Sequence, residues 1–106
     1  MAVTIMAGII RYDGEILAQF NGTVTVTKPT GGAGVFRVAF DQPFKGLPAV
    51  CVNHVWNPGN AGVTGGSPKD TASLQGIQAD AFSVTTMDAN GTIVPRTFSF
   101  VAVGER

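Results

Sequence analysis

The chain has 106 residues, with seven Lys and Arg balanced by seven Asp and Glu and a charged fraction of 13%. This length fits one core, so residues 1–106 are predicted to form a single domain. The zero net charge excludes a basic field for nucleic acid, and no apolar run is long enough to insert into a membrane.

Strand signals begin at the N-terminus. Residues 2–10 are apolar and nearly uncharged, and an Asp-Gly turn signal follows at 13–14. A second strand signal, 15–20, ends at the Asn-Gly pair 21–22. Because both residues accept positive φ, the pair predicts a tight hairpin into residues 23–27. Val and Thr alternate in that segment, so one face is expected to be buried and the other wet.

The middle of the chain carries two further strand signals. Residues 35–40 alternate, with three large apolar side chains on one face and Arg37 on the other. Pro48 opens the next strand, 49–56, where a missing N–H does little harm, and its Val content predicts a central position. The Gly- and Pro-rich stretch 57–71 is the longest irregular segment, a feature typical of functional loops.

The last third repeats the pattern. Residues 72–79 are a weaker strand signal, 81–87 alternate, and 88–91 form a tight turn. The final strand, 92–103, is interrupted at Pro95. No segment holds a helical pattern for three turns. The sequence therefore predicts an all-β fold, a two-sheet antiparallel β-sandwich or jelly roll of seven to nine short strands.

Several short motifs occur in a characteristic order in the second part of the chain. They are GVFRVAF at 34–40, PF at 43–44, LPAV at 47–50, FSVTT at 82–86 and RTFSFVAVG at 96–104. This order resembles small β-sandwich tip or head domains of phage tail fibres and of bacterial surface or collagen-like proteins. It is distantly similar to complement-type and tumour-necrosis-factor-like jelly-roll heads.

The resemblance covers residues 34–104. It implies a non-catalytic module that assembles, commonly as a trimer, and binds proteins or glycans at loops or subunit grooves. It also implies a place outside the cell, on a virion or at a cell surface, although the N-terminus does not have the pattern of a signal peptide. No cofactor is implied.

A polar and aromatic group lies where the fifth strand signal meets the long loop. His54, Trp56 and Asn57 are joined there by Asn60 and Asp70 within or at the end of the loop. An indole can stack on the apolar face of a sugar while amides bond its hydroxyls, so these residues are a candidate glycan site. The alternative is that Trp56 closes the rim of the core or lies at a subunit contact.

Catalysis and metal binding have little support. His54 is the only histidine and lacks companion cysteines, so a metal site would need copies around a threefold axis. Cys51 is the only cysteine, which excludes an internal disulfide, and its apolar neighbours predict a small buried hydrophobe. Its expected same-face neighbours, Asn53 and Val55, supply no base. We predict no catalytic residue and no metal.

The N-terminal segment is a candidate assembly element through Val3, Ile5 and Ile9. It either completes a sheet of its own subunit or adds to the sheet edge of a neighbour. Together with the low charge, which favours an oligomer over a neutral monomer, it predicts a self-assembling structural module, with a homotrimer expected. The alternative function is a lectin-like module that uses the strand end and loop at 54–71.

Overall fold

Eight β-strands form in the part of the chain that the structure, a computed structural model, describes: residues 2–28, 34–55, 67 and 69–106. The strands are β1 Val3–Ile10, β2 Ile16–Phe20, β3 Val24–Thr27, β4 Val35–Phe40, β5 Ala49–His54, β6 Thr71–Ile77, β7 Ala81–Met87 and β8 Phe98–Glu105. These described residues contain no helix, and hence no helix of the length and apolar character that a membrane crossing needs.

The strands form two antiparallel sheets of four. Sheet A has the order β2-β1-β8-β5, and sheet B has the order β3-β4-β7-β6. Each sheet turns one face toward the other, as expected for strands with one fully apolar side. The prediction of an all-β, two-sheet antiparallel sandwich is confirmed.

Phenylalanine rings from both sheets fill the space between them. Phe36 of β4 meets Phe98 of β8 with ring centroids 5.1 Å apart, and Phe82 of β7 meets Phe100 of β8 at the same centroid distance. All four side chains are at most 2% exposed. The alternation predicted for residues 35–40 is confirmed, since Phe36 is buried while Arg37 is exposed.

The N-terminal strand lies inside its own sheet. β1 pairs with β8 along its whole length and with β2 over Ala7 to Ile10. Both edges of this part of β1 are therefore occupied within one subunit. The structure supports the interpretation that the segment completes its own sheet, and not the one in which it adds to a neighbour's.

The position predicted for residues 49–56 is wrong. β5 is the edge strand of sheet A and pairs only with β8 in that sheet. Val50 and Val52 pack against the core, whereas Cys51 points to the outer face and is exposed. Cys51 is therefore not a buried hydrophobe: alternation places it opposite its apolar neighbours in sequence.

The Asn-Gly turn has the expected backbone but not the expected partners. Asn21 and Gly22 have φ values of 61° and 145°. However, β2 belongs to sheet A and β3 to sheet B, so the turn carries the chain between sheets and closes no hairpin. Local hydrogen bonds fix the crossing, because Asn21 Nδ2 donates to the Ile5 carbonyl at 2.8 Å. The Val24 amide likewise donates to Gln19 Oε1 at 3.1 Å.

The segment before β8 also crosses between the sheets. β8 begins at Phe98, so the predicted strand 92–103 starts too early. The turn at 88–91 is confirmed, since the Gly91 amide donates to the Asp88 carbonyl at 3.0 Å. The segment between this turn and β8 lies beside Thr86, whose hydroxyl accepts a hydrogen bond from the Arg96 amide at 3.1 Å.

Candidate functional site and assembly surface

The structure shows part of the predicted loop site. Trp56, Asn57 and Asn60 lie outside the described residues. His54 ends β5 and is half-buried, and Asp70 directly precedes β6 and is buried. A glycan site at these five residues stays a prediction, as does the rim or interface alternative for Trp56.

Asp70 is held by contacts within the protein. Its Oδ2 accepts from Arg96 Nε at 2.7 Å and from the Ser67 amide at 3.1 Å, and the residue is only 3% exposed. Burial raises the pKa of this carboxyl, but hydrogen bonds from Arg96 and Ser67 and the charges of Arg96 and His54 outweigh it. The pKa of Asp70 therefore lies below its usual value. The ion pair joins the start of β6 to the segment that enters β8.

The outer face of sheet A is mostly apolar. One cross-strand row consists of Phe20, Ala7, Val101 and Cys51, in the order β2, β1, β8, β5. The next row places Ile5, Val103 and Ala49 side by side. Val3 and Ile9 extend the face along β1, in the same phase as Ile5. The polar residues of this face lie beside them, since Ile9 is in a row with Ser99 and Asn53 and Val3 pairs with Glu105. We call this surface the apolar face.

Several large side chains of the apolar face are open to solvent. Phe20 is 62% exposed, Val3 and Ile5 are each 59% exposed, and Val101 is 42% exposed. Among the described strands of sheet A, Glu105 is the only Asp, Glu, Lys or Arg, and its carboxylate lies 3.8 Å from Lys45 Nζ. Exposed apolar surface of this continuity is typical of an interaction site.

The three residues predicted for assembly lie together on this face. Val3 and Ile5 are exposed and Ile9 is half-buried. Their role in assembly stays a prediction. Sequence reasoning missed Phe20 and Val101. A signal for Val101 was available: it stands between the core residues Phe100 and Ala102, so alternation in β8 places it on the outer face.

The outer face of sheet B has the opposite character. One row across it consists of Thr27, Arg37 and Ser83, in the order β3, β4, β7. Most of its other outward positions are also polar, namely Thr25, Thr71, Ser73, Gln75 and Thr85, and the apolar ones are Val35, Ala39, Ala81 and Met87. We call this surface the polar face.

A β-bulge opens a pocket at one end of the polar face. The register of β6 against β7 shifts between Leu74 and Ile77, so Gln75 and Gly76 together oppose Ser83. Gly76 has a φ of 80°, in the left-handed region that glycine adopts without a steric penalty.

The cavity beside the bulge has a volume of about 280 Å³. It is lined by Arg37, Gln75, Gly76, Ile77, Gln78, Ala81, Phe82 and Ser83. Sequence reasoning missed it. The available signal was Gly76 within a strand pattern, which often marks a bulge.

Within the described ranges, no cluster of three or more His, Cys, Asp and Glu side chains is arranged to hold a metal ion. Comparison with family models, with curated proteins and with solved structures finds no match. The resemblance to fibre-tip and jelly-roll heads therefore stays an expectation.

Proposed function

We propose that this protein is a non-catalytic structural module that self-assembles through the apolar face, as a component of a fibre tip, a virion or a surface layer. The observation that carries this proposal is the exposure of Phe20, Ile5 and Val101 on a sheet face with almost no charge. Burying such a face removes apolar area from water, which is the main driving force for association.

A second copy of the chain is the partner that suits this surface best. A face with almost no charge offers nothing to steer or align a charged partner. A copy of itself supplies the same apolar rows and packs face to face at about 10 Å, as stacked sheets do. Closed assemblies of identical subunits are also the commonest kind of oligomer.

The size of the face is close to what such a contact needs. The four strands lie about 4.8 Å apart and are five to eight residues long, and at about 3.3 Å per residue they span roughly 430 Å² per copy. Two copies then bury roughly 850 Å² of this flat projection, near the lower bound of about 1,000 Å² for a stable biological interface, and side chains that project from the sheet add to the accessible area. A trimer, which the resemblance implies, and a dimer both cover the apolar face.

Sedimentation velocity at micromolar concentration tests the proposal. We expect the wild type to sediment as an oligomer and Val101→Lys as a folded monomer of 11.0 kDa. The dissociation constant should rise by about 100-fold or more, because burying an unpaired ammonium costs several kcal/mol. The matched control is Ser73→Lys, which adds the same charge at an exposed strand position on the polar face.

Circular dichroism and a thermal melt establish that each variant is folded. A wild type that stays monomeric, or a Val101→Lys variant that assembles as the wild type does, overturns the proposal. Loss of assembly in Ser73→Lys alone would move the interface to the polar face.

A further inference from the structure

Arg37 is an unusual residue on the polar face. It is the only charged residue within the described strands of sheet B, and its side chain is exposed. Its guanidinium has no ion pair and no hydrogen bond with any other described residue. All its donors are therefore available to a ligand at the mouth of the pocket that it lines.

We propose that the pocket beside the β6 bulge binds an acidic monosaccharide unit of a glycan, with the sugar carboxylate paired to Arg37. A guanidinium matches a carboxylate through two parallel hydrogen bonds. A single cation on an otherwise uncharged polar surface suits a ligand that carries one negative group, and not a polyanion such as nucleic acid.

The other lining groups suit sugar hydroxyls. Gln75 and Gln78 contribute amides that both donate and accept, and Ser83 contributes a hydroxyl with the same capacity. The bulge leaves backbone groups of Gln75 and Gly76 outside the regular ladder, where they add further polar contacts. Sugars carry alternating donors and acceptors that such a mixed set recognises.

The dimensions favour a monosaccharide-sized group. The cavity volume of about 280 Å³ lies just below the range of roughly 300–1,000 Å³ that is usual for drug-sized ligands and cofactors. Phe82 and Ala81 in the lining are each only 2% exposed, so half-buried Ile77 is the lining side chain that offers apolar contact to a sugar ring. Presentation of several such pockets on one assembly would strengthen the binding of a glycan-coated surface.

Chemical-shift mapping of the ¹⁵N-labelled protein tests this inference. The probes are the methyl glycosides of N-acetylneuraminic acid and of glucuronic acid, with methyl galactoside as the neutral control and inorganic phosphate as the simple anion. We expect at least one acidic sugar to shift the amides of residues 75–78 and 83. Arg37→Gln should weaken this binding by about tenfold or more, because it removes a charge-assisted contact.

Lys69→Gln is the matched control, since it removes an exposed cation at the opposite end of β6. It should bind as the wild type does. Equal binding of galactoside or phosphate, unchanged binding by Arg37→Gln, or shifts that centre on residues 53–55 and 69–72 would overturn the inference. Val101→Lys should keep monosaccharide binding even as a monomer, so failure of this inference and failure of self-assembly are distinguishable.

Discussion

The outer faces of the two sheets cover the same core but differ in chemistry. On sheet B, Thr25 and Arg37 face outward while Val38 and Phe40 face inward, as in a sheet with one side in water. On sheet A the outward positions beside Phe100 are Ser99 and Val101, and apolar residues predominate on both sides of the sheet. A sheet that is apolar on both sides is usually covered on both sides.

This difference begins in the individual strands. β3 reads VTVT, and only its Val phase is apolar. β1 reads VTIMAGII, and both phases are mainly apolar. The core of the subunit uses the phase that contains Met6 and Ile10, and the other phase, with Val3 and Ile5, remains on the surface. The polar face needs no partner for solubility, whereas the apolar face gains free energy by being covered.

The comparison holds only if both sheets share one core, and replacing one ring from each sheet tests that condition. Phe100→Ala and Phe82→Ala should each lower the free energy of unfolding by about 3–5 kcal/mol, the usual cost of removing a buried aromatic ring. Their ring centroids lie 5.1 Å apart, so the double variant should be non-additive.

Urea unfolding followed by circular dichroism measures these losses. Both single variants should retain one cooperative transition. Two separate transitions, or a loss under about 1 kcal/mol at either position, would show that the sheets are stabilised independently.

The next test compares the buried ion pair of Asp70 and Arg96 with the exposed charge of Arg37 on the polar face. Asp70→Asn removes the charge that pairs with Arg96 and should cost about 1.5–3 kcal/mol, the range of a hydrogen bond to a charged group. Arg37→Gln on the polar face should change stability by less than about 0.5 kcal/mol, as surface substitutions usually do.

The pH dependence of stability provides the signature of this pair. The pKa of Asp70 is below its ordinary value in the folded protein, so the folded state binds fewer protons than the unfolded state. Its contribution is complete above the unfolded pKa of about 3.9 and is lost as the pH falls through the lower, folded pKa. Thermal melts across this acid range should show a smaller loss in Asp70→Asn. An equal loss in both proteins would assign the acid sensitivity to other carboxyls.

Sequence reasoning predicted the features that depend on local alternation and missed those that depend on which strands pair with each other. The Val phase of β3 and the apolar phase of β4 could be read directly, because side chains alternate with a period of two. The turn at Asn21 has the expected positive φ, but nothing local states that β2 and β3 belong to different sheets. Cys51 was expected to be buried because Val50 and Val52 flank it in sequence, but alternation turns it to the opposite face, where it is exposed.

The candidate surfaces were only partly accessible from the sequence for the same reason. Val3, Ile5 and Ile9 were found because they are close in sequence, whereas Phe20 and Val101 join them only through the register of three strands. The pocket depends on a bulge that sets Gln75 and Gly76 against Ser83, and Arg37 arrives from a third strand. Predicting such groups of residues requires the strand order and the register, which local sequence patterns do not supply.

The smallest expected effects come from exchanging the chemistry of the two faces at one position each. Thr85 on sheet B is 4% exposed, and its Oγ1 has no hydrogen-bond partner among the described residues. Thr85→Val keeps the shape and removes this buried, unpaired hydroxyl, so it should raise the free energy of unfolding by about 1 kcal/mol. A loss of stability would mean that an ordered water satisfies the hydroxyl.

Val101→Thr is the reciprocal change on sheet A, and its effect should appear in a different measurement. Val101 is 42% exposed, so a hydroxyl there stays hydrated in the monomer and unfolding should shift by less than about 0.5 kcal/mol. In the assembled state the same hydroxyl would be buried against apolar neighbours, so sedimentation should show weaker association by about tenfold. If association is unchanged while Val101→Lys still abolishes it, Val101 lies at the hydrated rim of the contact, and Ile5 or Phe20 occupies its centre.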